Sequence, residues 1–143
     1  MFGLPGAFTP TCSTQQLPGY EAAYDDLTDF VDEVVCTSVN DPFVMNSWFE
    51  SLDIKKVMSF PDGNADFAQA LGLYVNKRNL NFGHRSWRYS MVVNHELKLI
   101  EKVWIEINQR DSADTDVFEV SDAATMLDWL KSNPEAKTEI ERS

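Results

Sequence analysis

The run Val34-Val35-Cys36-Thr37-Ser38-Val39 constrains the fold most. It is rich in β-branched residues and lacks polar alternation, so it reads as a buried strand. Asn40-Asp41-Pro42 stops it and opens a helix with Pro42 at the first position, where a missing N–H costs nothing. Val44, Trp48 and Leu52 mark that helix's inner face. A buried strand feeding straight into a helix belongs to a layered α/β architecture.

The flanking chain repeats the alternation. Met1 to Leu4 read as the end of a strand, turned by Pro5-Gly6. Helical spacing follows Cys12, with Leu17-Pro18-Gly19 expected to kink or break it. The spacing resumes through Tyr20, Ala23, Tyr24, Leu27 and Phe30-Val31, with Glu21, Asp25, Asp26 and Asp29 on a solvated outer face. Val57 to Phe60 is a second short strand, closed by Pro61-Asp62-Gly63-Asn64. A helix over 65–71 is expected to turn Phe67, Ala70 and Leu71 inward, and residues 76–87 show no period and read as a loop. Tyr89 to Val93 and Leu97 to Ile107 form a β-hairpin turning at Asn94-His95. After a polar loop over 108–116, Ser121 is expected to cap a last helix with Ala123, Met126, Leu127 and Leu130 inward. The expectation is one domain over 1–131, an α/β sandwich around a mixed sheet, then a polar tail or linker over 132–143.

Composition narrows the function. The chain has 143 residues with nine Phe and four Trp, enough for a substantial core. Twelve basic residues against 23 acidic ones give a net charge of −11 without a basic cluster, which argues against nucleic acid and anionic membranes as partners. No apolar run approaches the roughly 20 residues of a membrane-spanning helix. Two cysteines are too few for a disulfide scaffold and point to a reducing, cytoplasmic setting. Phosphate-cradling glycine loops, zinc-like His/Cys spacing and a Cys-x-x-Cys motif are all absent from the sequence.

One reactive candidate remains. In Pro5-Gly6-Ala7-Phe8-Thr9-Pro10-Thr11-Cys12-Ser13, Thr9 sits at a helix cap and Pro10 at the first helical position. That spacing puts Cys12 in the first turn, where free N–H groups and the helix dipole favour an anion. An ordinary thiol, with a pKa of about 8.5, is only a few per cent thiolate at neutral pH. A helix start supplies part of what a strong nucleophile needs, so a cation must come from elsewhere. Arg85 and Arg88 flank Ser86-Trp87 ahead of a strand, and Arg88 at the strand entrance can project its charged fork into a site. A dyad of Cys12 with His84 or His95 is the alternative, although His95 falls in a turn, where a solvated histidine is the commoner outcome.

Pro5-x-x-x-Thr9-x-x-Cys12 resembles the active-site signature of the peroxiredoxins. The string from Gly3 to Ser13 is similar to the subgroup of plant type II peroxiredoxins and bacterial peroxiredoxin–glutaredoxin hybrids. The similarity continues through Leu17-Pro18-Gly19-Tyr20, Ser38-Val39-Asn40-Asp41-Pro42-Phe43-Val44-Met45 and Pro61-Asp62-Gly63-Asn64. It returns from Arg85 to Val93 and again from Phe118 to Asp122. This resemblance implies a thioredoxin-like sandwich with a central mixed sheet flanked by helices. It implies a thiol-dependent peroxidase acting on hydrogen peroxide and alkyl hydroperoxides, in redox homeostasis and the response to oxidative stress. Cys12 would be the peroxidatic nucleophile, Thr9 the hydroxyl beside it, Pro5 the shield of the pocket and Arg88 the site cation. The resemblance calls for no metal or other cofactor, and relatives commonly form homodimers.

Two departures from the family shape the expectation. Some relatives place a resolving cysteine where this chain reads Asp111-Ser112-Ala113-Asp114, and Cys36 lies in the buried strand. The expectation is therefore a one-cysteine cycle, with glutathione and glutaredoxin, or thioredoxin, reducing the Cys12 sulfenic acid. Family members also carry a mid-sheet strand ahead of the cysteine loop, of which Met1-Phe2-Gly3-Leu4 is the part present. The expected fold thus lacks the usual N-terminal strands, and the expectation is that the chain start is a truncated reading of a longer gene, that the sheet is rearranged, or that another chain fills the gap. A catalytically weakened, redox-sensitive interaction module is the alternative function.

Overall fold

β1 (Phe2–Gly3) lies in the middle of a five-stranded mixed sheet, in a computed structural model that describes residues 1–133. Parallel to β1 runs β2 (Val35–Ser38), with Phe2 opposite Cys36, and antiparallel to it runs β6 (Tyr89–Asn94), with Phe2 opposite Ser90. β3 (Met58–Pro61) extends the sheet beyond β2, and β7 (Leu99–Ile105) extends it beyond β6. The strand order is β3-β2-β1-β6-β7, which leaves the segment ahead of the cysteine loop in mid-sheet, with no gap between β2 and β6. Short as it is, β1 bonds to both neighbours: Leu4 N donates to Thr37 O at 3.2 Å and Met91 N to Met1 O at 2.8 Å. Gly3 faces the buried ring of Tyr89, and a Cβ at Gly3 would overlap it.

Successive strand residues point to opposite faces, which divides the core. One face carries Phe2, Cys36 and Val92, packed with Leu17, Tyr20, Leu27, Met45 and Trp48, and with Met126 and Leu130 of the last helix. Phe2 stacks on Tyr20 with centroids 4.0 Å apart, and Trp104 meets Trp129 edge to face. The other face carries Tyr89 and Met91 against Leu73, Phe67, Leu71 and Trp87.

Several helices differ from the sequence expectation for identifiable reasons. Leu17-Pro18-Gly19 do not break the first helix. Residues Cys12–Gln16 form a π-helical turn, with Leu17 N bonded to Cys12 O, and α1 (Leu17–Ala22) continues through Pro18. The widened turn makes room where Pro18 lacks an N–H and its ring would press on the preceding carbonyls. Helical structure then ends before Val31. After the single turn of α2 (Tyr24–Leu27), Phe30 and Val31 pack on the core from non-helical backbone.

α3 (Pro42–Ser51) is capped by Asp41, whose carboxylate accepts from Val44 N at 2.8 Å. Its fully buried face is Met45, Trp48 and Phe49, with Val44 and Leu52 partly buried beside it. In α4 (Asp66–Leu71) Ala68 is the buried alanine and Ala70 is exposed. The expected loop over 76–87 is structured: its first residue ends β4 (Tyr74–Asn76), which pairs antiparallel with β5 (His84–Ser86) around a 3₁₀ turn, Arg78–Leu80. Three-residue strands are too short for alternation to show in sequence. α5 (Ala123–Ser132) is capped by Asp122 instead of Ser121, because the buried Glu106 carboxylate claims both the Ser121 N–H and its hydroxyl. Ser132 closes α5, so the helix reaches the start of the expected tail, and residues 134–143 lie outside the described residues. Among the described residues no helix is long and apolar enough to cross a membrane.

Candidate active site

The segment leading to Cys12 is pinned from three sides. Ala7 N donates to Asn40 Oδ1 at 2.9 Å, and the same oxygen accepts from Ser38 Oγ at 2.7 Å. Arg85 Nη1 donates to the carbonyl of the buried Pro5 at 3.2 Å. Trp48 Nε1 donates to Ser13 Oγ at 2.9 Å, fixing the turn just past the cysteine to α3. Pro10 and Thr11 open the helix as the spacing predicts. Thr9 acts there through its backbone carbonyl, which accepts from Ser13 N at 3.0 Å, while its hydroxyl donates to Gly6 O at 2.6 Å. Phe8 takes a left-handed backbone conformation (φ 63°), uncommon for a bulky residue, and is 55% exposed.

Cys12 itself is completely buried, and its Sγ lies 3.4 Å from Arg88 Nη1. The guanidinium is equally enclosed. Nη1 also donates to Gln16 Oε1 at 2.5 Å, and Gln16 Nε2 reaches Gly3 O at 3.4 Å, tying the cation to β1. Nη2 pairs with Asp116 Oδ1 at 2.5 Å. Gln109 grips the Arg88 backbone: its Oε1 accepts from Arg88 N, and its Nε2 donates to Arg88 O at 2.9 Å. The Phe118 ring lies 5.9 Å from the guanidinium carbon. Nε is buried without an acceptor among the described residues. A guanidinium at this range attracts a negative sulfur by on the order of 4 kcal/mol at an effective dielectric of about 20, opposed by the cost of burying both groups.

Residues 1–127 match the family model described as Redoxin. Peroxiredoxin sll1621 of Synechocystis sp. is 50% identical over 132 residues, covering 92% of this chain and 69% of that protein. The chain belongs to the peroxiredoxins. Hybrid peroxiredoxin hyPrx5 of Haemophilus influenzae is 46% identical over 131 residues, covering 91% of this chain and 52% of that protein. The crystal structure of a Plasmodium falciparum antioxidant protein, titled a 1-Cys peroxiredoxin, superposes with a TM-score of 0.87. It is 37% identical, and the match covers 92% of this chain and 77% of that one. The fold is therefore the thioredoxin-like peroxiredoxin fold, a mixed sheet flanked by helices.

Of the four sequence-predicted residues, two meet directly and two lie on the segment that leads to the cysteine. Cys12 and Arg88 are in contact, and Thr9 and Pro5 line the loop that delivers the cysteine. Neither histidine takes the dyad position: Arg88 is the residue that reaches Sγ. His84 stacks on Tyr74 at 5.0 Å and His95 is exposed beside the β6–β7 turn. Cys36 is buried in β2 and free, and burial above all, then the nearby Cys12, pushes its thiol well up.

Three neighbours of Arg88 carry no signal that the sequence analysis used. Gln16 follows Cys12 by four residues, so a shared helix face was the available signal. Gln109 and Asp116 lie in a polar loop without periodicity, and only the return of the chain past β7 brings them to Arg88. Burial works against the charge of Asp116. Hydrogen bonding with Thr11, the charge and hydrogen bond of Arg88 and the charge of Lys77 outweigh it and hold the carboxyl below its ordinary value.

Proposed function

We propose that the chain reduces hydrogen peroxide and small alkyl hydroperoxides through Cys12, in a one-cysteine cycle completed by an external thiol. The observation that carries this reading is the 3.4 Å approach of Arg88 Nη1 to a sealed Cys12 Sγ. The thiolate sulfur attacks one peroxide oxygen, the O–O bond breaks, and its electron pair leaves on the second oxygen, which takes a proton as water or alcohol. Cys12 becomes a sulfenic acid. Arg88 stabilises the thiolate and the charge moving onto the departing oxygen, and its free Nε–H is a further donor for the substrate. Because the Thr9 hydroxyl gives its proton to Gly6 O, its lone pairs are left to accept the peroxide O–H. Pro5 closes the loop over the pocket.

A first external thiol then forms a mixed disulfide with Cys12 and releases water, and a second thiol frees Cys12. Glutathione with glutaredoxin is the reductant we propose, with thioredoxin as the second choice. The similarity to the Plasmodium 1-Cys peroxiredoxin and the enclosure of Cys36 support a cycle that uses Cys12 alone. We place the protein in the cytoplasm, in redox homeostasis and the response to oxidative stress. We also propose a homodimer, for which Phe8 and the 85% exposed Phe43 offer apolar surface on two segments joined by the Ala7–Asn40 bond. The central strand β1 favours a working enzyme over a weakened interaction module, because it anchors Gln16 and through it Arg88.

The test is peroxide consumption by purified protein with glutathione plus glutaredoxin, and in parallel with a thioredoxin system. Turnover by the wild type and none by Cys12→Ser supports the reading. Equal turnover by Cys12→Ser overturns it.

A further inference from the structure

The guanidinium of Arg88 is held at both ends. Its Nη1 end meets Cys12 Sγ and Gln16 Oε1, and its Nη2 end meets Asp116 Oδ1. The Gln16 contact comes from the cysteine helix itself, so it moves with the nucleophile. The outer contacts come from the segment after β7: Gln109 on the Arg88 backbone, Asp116 on Nη2 and Phe118 across the guanidinium. That segment is itself fixed, since the buried Glu106 carboxylate accepts from Glu119 N, Val120 N, Ser121 N and Ser121 Oγ.

We propose that Asp116 is a positioning residue for the peroxidase reaction, holding the Arg88 fork so that Nη1 faces the Cys12 sulfur. This inference rests on the peroxidase reading above. A planar fork anchored through Nη2 cannot rotate about its last bonds, so Nη1 is kept in one direction. Asp116 is 46% exposed on its side chain. The Arg88 side chain is only 2% exposed, so losing the carboxylate leaves a buried cation without its acidic partner and costs stability, while peroxide displacement depends in addition on close alignment of the reacting groups. The carboxylate should therefore affect rate beyond what its contribution to stability accounts for. Its charge partly neutralises Arg88, so its value lies in geometry and not in added positive potential.

Stopped-flow oxidation of stoichiometric enzyme tests this, followed by tryptophan emission, because Trp48 is bonded to Ser13 beside Cys12. Asp116→Ala and Asp116→Leu, neither of which offers Nη2 an acceptor, should each slow oxidation by hydrogen peroxide by at least about tenfold, the scale that small misplacements of a reacting group produce, and Asp116→Asn, whose Oδ1 can still accept from Nη2, should lose less. Asp116→Glu should recover part of the loss. Alkylation of Cys12 by iodoacetamide, which reads thiolate reactivity without peroxide alignment, should fall clearly less than oxidation does. Oxidation within twofold of wild type in both the Ala and Leu variants would overturn the proposal. So would alkylation falling in parallel with oxidation, because that marks a general loss of thiol reactivity. If Ala unfolds, the Leu variant, of similar volume and without an acceptor, decides alone. A wild-type Cys12 that peroxide fails to oxidise would overturn the peroxidase reading, and this proposal with it.

Discussion

Cys12 and Cys36 are equally buried, yet their surroundings are opposed. Each has no exposed surface and each is a free thiol. Cys36 sits mid-strand between Phe2 on β1 and Ser59 on β3, in a hydrocarbon layer where burial penalises a thiolate. Cys12 sits at the start of a helix with a guanidinium 3.4 Å away. Burial alone makes a cysteine inert. Burial beside a fixed cation makes a dry site in which charge can be stabilised without reorganising water.

That contrast can be broken at either cysteine. Cys12→Ser should abolish peroxide consumption, measured as turnover with any thiol reductant. Arg88→Ala should lower the rate constant for Cys12 oxidation by roughly 10² or more, since it removes the principal electrostatic donor. Arg88→Lys should recover little of it, because a point charge cannot meet Cys12, Gln16 and Asp116 together. Cys36→Ala should leave peroxidase turnover within twofold and cost about 1–2 kcal/mol of stability from the cavity it opens, measured by urea unfolding.

The smallest effect concerns pH. Asp116 has its carboxyl held below the ordinary value of 3.8 in the folded protein. Its pairing therefore stabilises the fold at pH above that value and loses this contribution as pH falls through the lower, folded one. The difference in Tm between wild type and Asp116→Asn should be constant from neutral pH to about 5 and shrink below about 4. A difference that grows on acidification would contradict the ion pair.

Legibility in the sequence followed the range of the interactions. The Val34–Val39 run, the Pro42 helix start and the hairpin at Asn94 were readable because each signal is local and repeats with the element's period. Cys12 was readable from Thr9-Pro10, which position a thiol at a helix start within three residues. Arg88 needed both its place at a strand entrance and the family resemblance. The π-helical turn was not readable, because Pro18 signals a break and only packing of Leu17 and Tyr20 on the sheet makes continuation the better outcome. Ser121 was misassigned as a cap because its real partner, Glu106, is 15 residues away and buried. Asp116 and Gln109 carried no local signal, since their role exists only once the loop after β7 returns to Arg88.

The most direct measurement treats reduced protein with one equivalent of hydrogen peroxide, traps sulfenic acid with dimedone, and locates the adduct by peptide mass spectrometry. The adduct should appear on Cys12, should be absent from Cys36 and should fall sharply in Arg88→Ala. An adduct on Cys36, or equal labelling of Cys12 with and without Arg88, would contradict a site built on the Cys12–Arg88 pair.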